Sequence, residues 1–283
     1  MPDIHWYPGH MARARRLLAG QLKVVDAVIE LCDARAPDAT RNPDLMELTR
    51  GKQRVLVLNK ADLASDDATN RWLTHLRARG ETALRFTSTG GRTGEVLAAI
   101  ERAVKPAVER MKARGVNKTV RLMVIGIPNV GKSSFINRLN GAAIAKAADR
   151  PGVTRASQWV KVGPYLELLD TPGLLWPKLG DQDLARDLAF LGSIKDQIMD
   201  GEELAGQLLE RLMAIDEAAA RARFKLHDIA LDAPGHELLE AACKGRGWLL
   251  SQGRFDTERA AALVLDEFRA GKVGRVTLEL PKA

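Results

Sequence analysis

The fold is most clearly indicated by VRLMVIGIPNVGKSS (residues 120–134), in which a short apolar run leads into a turn with two glycines. Gly126 to Ser133 has the spacing GxxxxGK[ST], and the following residues to Asn140 have the pattern of a helix. A strand before such a turn and a helix after it is the context in which backbone N–H groups bind phosphates. The segment therefore predicts a phosphate-binding loop, with an ordinary strand–helix turn as the alternative.

The residue types of this loop suit a nucleotide. Lys132 can neutralise charge that develops on the phosphates, and Ser133 offers a hydroxyl to Mg²⁺. The predicted nucleotide-binding set of the loop comprises Asn129, Val130, Gly131, Lys132, Ser133 and Ser134.

A second motif predicts which base is bound. NKAD (residues 59–62) follows the apolar run RVLVL, and the Asp62 carboxylate can accept the N1–H and N2–H₂ donors of guanine, which adenine lacks. Asn59 can tie this loop to the base and to the phosphate loop, and the stem of Lys60 can cover the ring face. Ser88 ends the next apolar run and either supplies a second guanine-contacting loop or belongs to an ordinary turn.

A third motif, DTPG (residues 170–173), ends the apolar run YLELLD. Its spacing predicts that Asp170 holds Mg²⁺ through water and that the Gly173 amide senses the γ-phosphate. Thr154 lies between the phosphate loop and DTPG and is the candidate switch threonine for Mg²⁺. The three motifs together predict GTP or GDP with Mg²⁺ as the bound group.

The distribution of apolar runs predicts an α/β fold. Runs at 24–35, 54–63, 83–88 and 120–129, and two strands within 159–173, each lead into polar residues, as in the βα units of a largely parallel sheet. A helix is predicted over 93–114. After about Lys178 the segments 183–194, 202–215 and 257–271 have helical spacing. We therefore expect a nucleotide-binding domain over 1–178 and a helical domain over 179–283.

Charge points to a polyanionic partner. The net charge of the 283 residues is +7, and residues 1–180 hold 29 Lys and Arg against 17 Asp and Glu, whereas residues 181–283 hold 14 against 19. The basic stretch Arg13, Arg15, Arg16 and Lys23 lies on a predicted helix and is either a solvated face or an RNA contact.

Other features exclude several classes. No apolar run approaches the roughly 18–20 residues of a membrane span, and no secretory leader is recognisable, so a cytoplasmic protein with no membrane partner is expected. The two cysteines, Cys32 and Cys243, lack the spacing of a zinc site. An ATP-dependent nucleic-acid enzyme is disfavoured by NKAD and by the lack of a second catalytic acid motif, and DNA is not an expected partner.

The order of the motifs is unusual, because NKAD and the Ser88 loop precede the phosphate loop. This order resembles that of the circularly permuted GTPases, and it lets DTPG run almost directly into the helical domain. Within that group the chain resembles the ribosome biogenesis GTPase A family, in four stretches: HWYPGHMARA (5–14), DARAP (33–37), DTPGLLWP (170–177) and FRAGKVGRVTLE (268–279).

The resemblance implies a permuted P-loop GTPase domain followed by a small helical domain that binds RNA, acting on the precursor of the large ribosomal subunit and its rRNA. Because residues 181–283 are net acidic, binding there would depend on a local basic patch. The candidates for that patch are Lys244, Arg246, Arg254, Arg269, Lys272 and Arg275.

The residue that positions the attacking water is left open by the motifs. Leu174 follows DTPG where many GTPases have a glutamine, and leucine cannot hydrogen-bond water. The resemblance nominates His10 instead, with helix capping or RNA contact as alternatives, so the predicted catalytic set is His10, Lys132, Thr154 and Gly173. Asn129 resembles the asparagine that lets some GTPases bind K⁺, or is a turn residue. The alternative function is a GTP-dependent placeholder that binds RNA or the ribosome and whose own hydrolysis is negligible.

Overall fold

The computed structural model describes residues 8–90, 93–113, 115, 119–141, 157–162, 166–175, 182–194 and 200–282, with side chains from Arg15 onward. The strands are β1 (Ala27–Asp33), β2 (Gln53–Asn59), β3 (Thr82–Arg85), β4 (Val120–Ile125), β5 (Gln158–Lys161) and β6 (Leu166–Asp170). The helices are α1 (Pro8–Leu22), α2 (Pro43–Leu48), α3 (Asp66–Ala78), α4 (Gly94–Lys112), α5 (Lys132–Asn140), α6 (Gln182–Phe190), α7 (Gly201–Ile215), α8 (Glu217–Phe224), α9 (Gly235–Arg246) and α10 (Thr257–Arg269).

The six strands form one sheet in the order β3-β2-β1-β4-β6-β5. Every neighbouring pair is parallel except β5 with β6, which is antiparallel. This confirms the predicted α/β class and the largely parallel sheet. β1 is buried along its whole length, as expected for a central strand covered on both faces.

Helices cover both faces of the sheet, which places the carboxyl ends of the strands at one exposed edge. On one face α4 and α5 pack on the sheet through residues such as Ile100 and Phe135. On the other face lie α1, α2 and α3, which contribute Leu18, Leu45 and Trp72 to the buried clusters. In such a sheet ligands bind outside the carboxyl ends of the strands, and all the predicted nucleotide motifs begin there.

Residues from Gln182 onward are mainly helical, as predicted. α7, α9 and α10 share one apolar cluster, and Gly206 of α7 lies so close to Gly235 of α9 that a Cβ on Gly206 would come within 2.8 Å of the Gly235 carbonyl carbon. α6 contributes to both cores: Ala189 and Phe190 join the helical cluster, and Leu188 joins the cluster on the sheet. The predicted boundary at 178 falls on residues outside the described ranges and stays a prediction.

Candidate nucleotide-binding site

The phosphate loop joins β4 to α5, and its backbone curls tightly. Asn129 and Gly131 have positive φ values of 61° and 92°. A Cβ on Gly126 would lie 2.6 Å from the Leu31 carbonyl oxygen, so only glycine fits against β1 at this point. Alternating backbone conformations of this kind turn successive N–H groups toward one concavity, and the N-terminus of α5 adds its positive end.

Lys132 holds its ammonium inside this loop. The side chain is buried, and Nζ donates hydrogen bonds to the carbonyl oxygens of Gly126 at 3.2 Å and Ile127 at 2.9 Å. Burial lowers the pKa of Lys132 to about 8, against the opposing attraction of Asp170. Bound phosphates would favour the charged form of this lysine.

Two of the residues proposed for Mg²⁺, Ser133 and Asp170, meet near the carboxyl ends of β4 and β6. The Ser133 hydroxyl donates to Oδ2 of Asp170 at 2.8 Å, and the Thr171 hydroxyl donates to the Val124 carbonyl at 2.6 Å, which ties the two strand ends together. A hydroxyl beside a carboxylate is a hard oxygen donor set that fits Mg²⁺. In the described part of the chain no three His, Cys, Asp or Glu residues cluster as a metal cage, so nucleotide and water oxygens would complete the coordination.

DTPG lies directly against the phosphate loop. A Cβ on Gly173 would lie 2.5 Å from the Pro128 nitrogen, and the Leu174 amide donates to the Gly126 carbonyl at 3.4 Å. The Leu174 side chain is buried in the cluster to which α1 contributes Leu18. Leu174 is therefore a core residue, and it belongs to the same buried cluster as α1.

The loop predicted to read the base is hydrogen-bonded to the phosphate loop through Asn59, as predicted. Its Nδ2 donates to the Val130 carbonyl at 2.8 Å, and its Oδ1 accepts from the Ser88 hydroxyl at 2.8 Å. The Ala61 amide donates to the Phe86 carbonyl, which pairs the two loops. The structure thus brings Asn59, Ser88 and the phosphate loop together, and the exposed Asp62 follows on the same loop.

Asp33 and Arg35 lie beside NKAD, although motif chemistry did not identify them. Asp33 is buried, and its carboxylate accepts from Nε and Nη2 of Arg35 and lies 3.0 Å from Nζ of Lys60. Burial alone would raise the pKa of Asp33, but Arg35 and then Lys60 hold it well below its usual range. The DARAP stretch was the only sequence signal for this arrangement, and it carried no chemical assignment.

For two of the predicted catalytic residues the structure describes no side chain. Thr154 lies outside the described residues. The backbone of His10 lies in the first turn of α1, and its side chain lies outside the described part of the structure. Leu18 of the same helix belongs to the buried cluster that contains Leu174, the residue after DTPG.

The phosphate loop also contacts the residues that follow α6. Nδ2 of Asn129 donates to the Gly192 carbonyl at 2.8 Å, and the Ser193 hydroxyl donates to the Pro128 carbonyl at 3.0 Å. Asn129 is therefore a left-handed turn residue with a structural hydrogen bond, and its predicted role toward K⁺ stays a prediction.

Three members of the predicted basic patch are engaged inside the protein. Arg246 donates to Glu267, Arg269 donates to the carbonyls of Ala189 and Phe190, and Arg275 pairs with Asp66. A surface for polyanions that uses all six predicted cations would have to break these contacts. Lys244, Arg254 and Lys272 are exposed.

Fold and site together define a P-loop GTPase with a circularly permuted motif order. The 50S ribosome-binding GTPase family matches residues 121–218. Ribosome biogenesis GTPase A of Bacillus cereus is 43% identical over 281 residues, 99% of this chain and 94% of that protein. The Thermotoga maritima protein of the same name is 31% identical over 277 residues, 98% of this chain and 94% of that protein. This chain belongs to the ribosome biogenesis GTPase A family.

A solved structure agrees with this assignment. The crystal structure of GNP-bound YlqF from T. maritima matches with a TM-score of 0.67 and 27% identity, over 95% of this chain and 99% of that one. The protein is accordingly a GTP hydrolase of ribosome biogenesis that uses guanine nucleotide and Mg²⁺. Among the helices that the structure describes, none is both long and apolar enough to cross a membrane.

Proposed function

We propose that the protein binds the precursor of the large ribosomal subunit in its GTP state, promotes late assembly, and leaves when GTP is hydrolysed. One observation carries this proposal: the phosphate loop touches DTPG on one side and the residues after α6 on the other. Loss of the γ-phosphate can therefore change how the helical domain is held. The matched family of 50S ribosome-binding GTPases supports the choice of partner.

In this proposal each motif has one task. Asn59, Lys60, Asp62 and Ser88 hold guanine, and the loop from Asn129 to Ser134 holds the phosphates. Ser133 and Thr154 would hold Mg²⁺ directly and Asp170 would hold it through water, and the bound ion would offset charge on the phosphate oxygens. Gly173 senses the γ-phosphate through its amide. Asn129 binds K⁺ in addition to donating its hydrogen bond to the Gly192 carbonyl.

Hydrolysis by the protein alone is proposed to be slow and to be stimulated by the ribosomal subunit. Leu174 is buried and cannot orient a water, so another group must do so. His10 is assigned this task, and its helix contributes Leu18 to the buried cluster that contains Leu174. Placement of cytoplasmic pre-ribosomal RNA against the N-terminal end of α1 would then complete the site.

Co-sedimentation with purified large subunits tests the partner and the switch. Binding is expected to be tighter with a non-hydrolysable GTP analogue than with GDP. Binding is also expected to weaken as salt rises. The protein releases counterions from the RNA phosphates when it binds, and this release favours binding less at high salt. Equal binding in both nucleotide states would contradict the switch, and salt-insensitive binding would contradict an RNA contact.

Turnover measurements separate the switch from a placeholder that never hydrolyses. His10→Ala is expected to reduce subunit-stimulated hydrolysis at least tenfold while GTP affinity stays unchanged, since general acid–base groups contribute roughly 10²–10⁴ to rate. His227→Ala, at an exposed position in the helical part, is the matched control. Parental stimulated turnover in His10→Ala would exclude His10 as the catalytic group. No stimulation of the parent protein would favour the placeholder.

A further inference from the structure

Residues 275–279, named the strap, run along the loop that reads the base. That loop, residues 60–65, is named the base loop. Nε of Arg275 donates to the backbone carbonyl of Asp62 at 3.2 Å, and the Val276 amide donates to the Leu63 carbonyl at 3.1 Å. Two successive carbonyls of the base loop, starting at the base-reading residue, are thus held by the strap.

The contact continues where the base loop leads into α3. The Ser65 amide donates to the hydroxyl of Thr277 at 3.0 Å, and Arg275 forms an ion pair with Asp66. Val276 and Thr277 are buried although they lie outside any helix or strand. The strap is therefore packed onto the base loop as an extended segment.

The strap also holds the turn that carries Asp33. The Leu278 amide donates to the Arg35 carbonyl at 2.7 Å, and Oε1 of Glu279 accepts from the amides of Asp38 and Ala39. Asp33 in turn pairs with Lys60 of the base loop. Both loops that shape the guanine side of the site are tied to the same five residues.

Asp62 itself is exposed and follows Lys60, whose φ of 57° places the start of the base loop in a left-handed turn. A carboxylate that accepts two donors from one base must be held within roughly 0.5 Å and 10–20° of its bound geometry. An exposed side chain on a turn gets this precision from its backbone. The backbone of Asp62 and Leu63 is fixed by Arg275 and Val276.

We propose that the strap positions the guanine-reading carboxylate, so that Arg275 and Thr277 are positioning residues for guanine specificity. The proposal rests on the assignment of Asp62 as the base reader. By linkage, guanine nucleotide and the strap stabilise each other, and a partner that lifts the strap off the base loop releases nucleotide.

Nucleotide binding by Arg275→Met tests the proposal. The variant keeps an apolar stem but loses the donor to Asp62. GTP affinity is expected to fall about fivefold, which is what the loss of one ordinary exposed hydrogen bond implies. ITP, which lacks the 2-amino group, should weaken less, and binding of inorganic triphosphate should be unchanged. Lys282→Met, at an exposed position just after the strap, is the control and should match the parent. Equal losses for GTP, ITP and triphosphate would overturn the proposal.

A double-mutant cycle separates this idea from the assignment of Asp62. Asp62→Ala alone should remove the preference for GTP over ITP; if it does not, the base-reader assignment fails. In the Asp62→Ala background, Arg275→Met should have no further effect on GTP affinity. Additive losses in the double variant, with Asp62→Ala behaving as expected, would overturn the positioning role alone.

Hydrogen exchange tests the reciprocal effect in the full chain. GDP is expected to slow exchange of the Val276 and Leu278 amides, which donate to Leu63 and Arg35, at least threefold. The amide of Trp248, which donates to the Cys243 carbonyl within the helical part, serves as the internal reference. Exchange at Val276 and Leu278 that does not respond to GDP would contradict the linkage.

Discussion

Lys132 is the residue whose chemistry depends most on its surroundings. In the structure its ammonium donates to two carbonyls of its own loop, and burial lowers its pKa to about 8. Phosphates add negative charge beside it, so its pKa must rise when nucleotide binds.

We therefore predict that nucleotide binding takes up a proton near pH 8. Above a pH of about 8 most of the Lys132 side chain is neutral and has to be protonated on binding. GDP affinity therefore falls as pH rises, by up to about tenfold per pH unit. Calorimetry in two buffers of different ionisation enthalpy measures the uptake. Lys132→Arg, always charged, should show none. Proton release by the parent would contradict the prediction.

The Ser133 hydroxyl is a proposed ligand of Mg²⁺. Ser133→Ala should raise the Mg²⁺ concentration needed for half-maximal hydrolysis at least tenfold, because it removes the hydroxyl that lies 2.8 Å from Asp170. Mg²⁺ titration of GTP hydrolysis is the measurement, and Ser251→Ala, at an exposed position far along the chain, is the control. An unchanged titration would move the metal site elsewhere.

At this scale, local spacing found the motif residues but not their partners. Asn59, Ser133 and Asp170 were identified because their residue types suit bases, hydroxyl ligands and metals. The role of Asp33 was missed because its partner Lys60 becomes its neighbour only when β1 and β2 pair in register, Asp33 beside Asn59. Likewise, the sequence identifies Leu174 by the glutamine that it replaces, and only packing shows that its side chain lies in the core.

The backbone of DTPG fits closely against the phosphate loop. The space at Gly173 is closed by backbone atoms of Pro128 and Ile127, which cannot move aside as a side chain would. A side chain at position 173 would therefore push DTPG away from the phosphate loop.

Gly173→Ala is predicted to separate them. The added Cβ would lie 2.5 Å from the Pro128 nitrogen, so DTPG must shift, and the preference for GTP over GDP should fall several-fold. Competition of both nucleotides for a fluorescent analogue measures this ratio. Gly201→Ala at the start of α7, where no atom lies within 4 Å, is the control. An unaltered ratio in Gly173→Ala would show that this amide does not sense the γ-phosphate.

Strands and long helices were predictable because their apolar periods are strong. The helix expected over 93–114 is α4, over 94–112, and both strands expected within 159–173 are present. α8 and α9 were not identified separately, since their weak apolar stripes include small residues. One such residue is Gly235, whose role at the close helix crossing depends on Gly206 in another helix.

For the molecule as a whole, the strap adds a pH-dependent contribution to stability. Burial raises the pKa of Glu279 to about 7, although the amides of Ala39 and Asp38 favour its charged form. The folded protein therefore binds this proton more tightly than the unfolded chain does. Its contribution to stability is complete below the unfolded pKa, roughly 4.3, and is lost as pH rises through about 7.

Glu279→Gln is predicted to flatten this dependence. Between pH 5 and 8 the parent should lose about 1–3 kcal/mol of unfolding free energy that the variant does not lose. Urea unfolding at four pH values measures the difference, with Glu258→Gln, at an exposed position in α10, as the control. Parallel pH profiles for the parent and Glu279→Gln would contradict the assignment.

The strand order has a consequence for synthesis of the chain. β1, β2 and β3 lie side by side at one end of the sheet, and they precede β4, β5 and β6 in the sequence. A growing polypeptide can therefore pair the three strands that carry the guanine motifs while the phosphate loop is still untranslated. Until β4 arrives, the exposed edge of β1 has no permanent neighbour, so a stalled nascent chain should remain sensitive to proteases and unable to retain nucleotide.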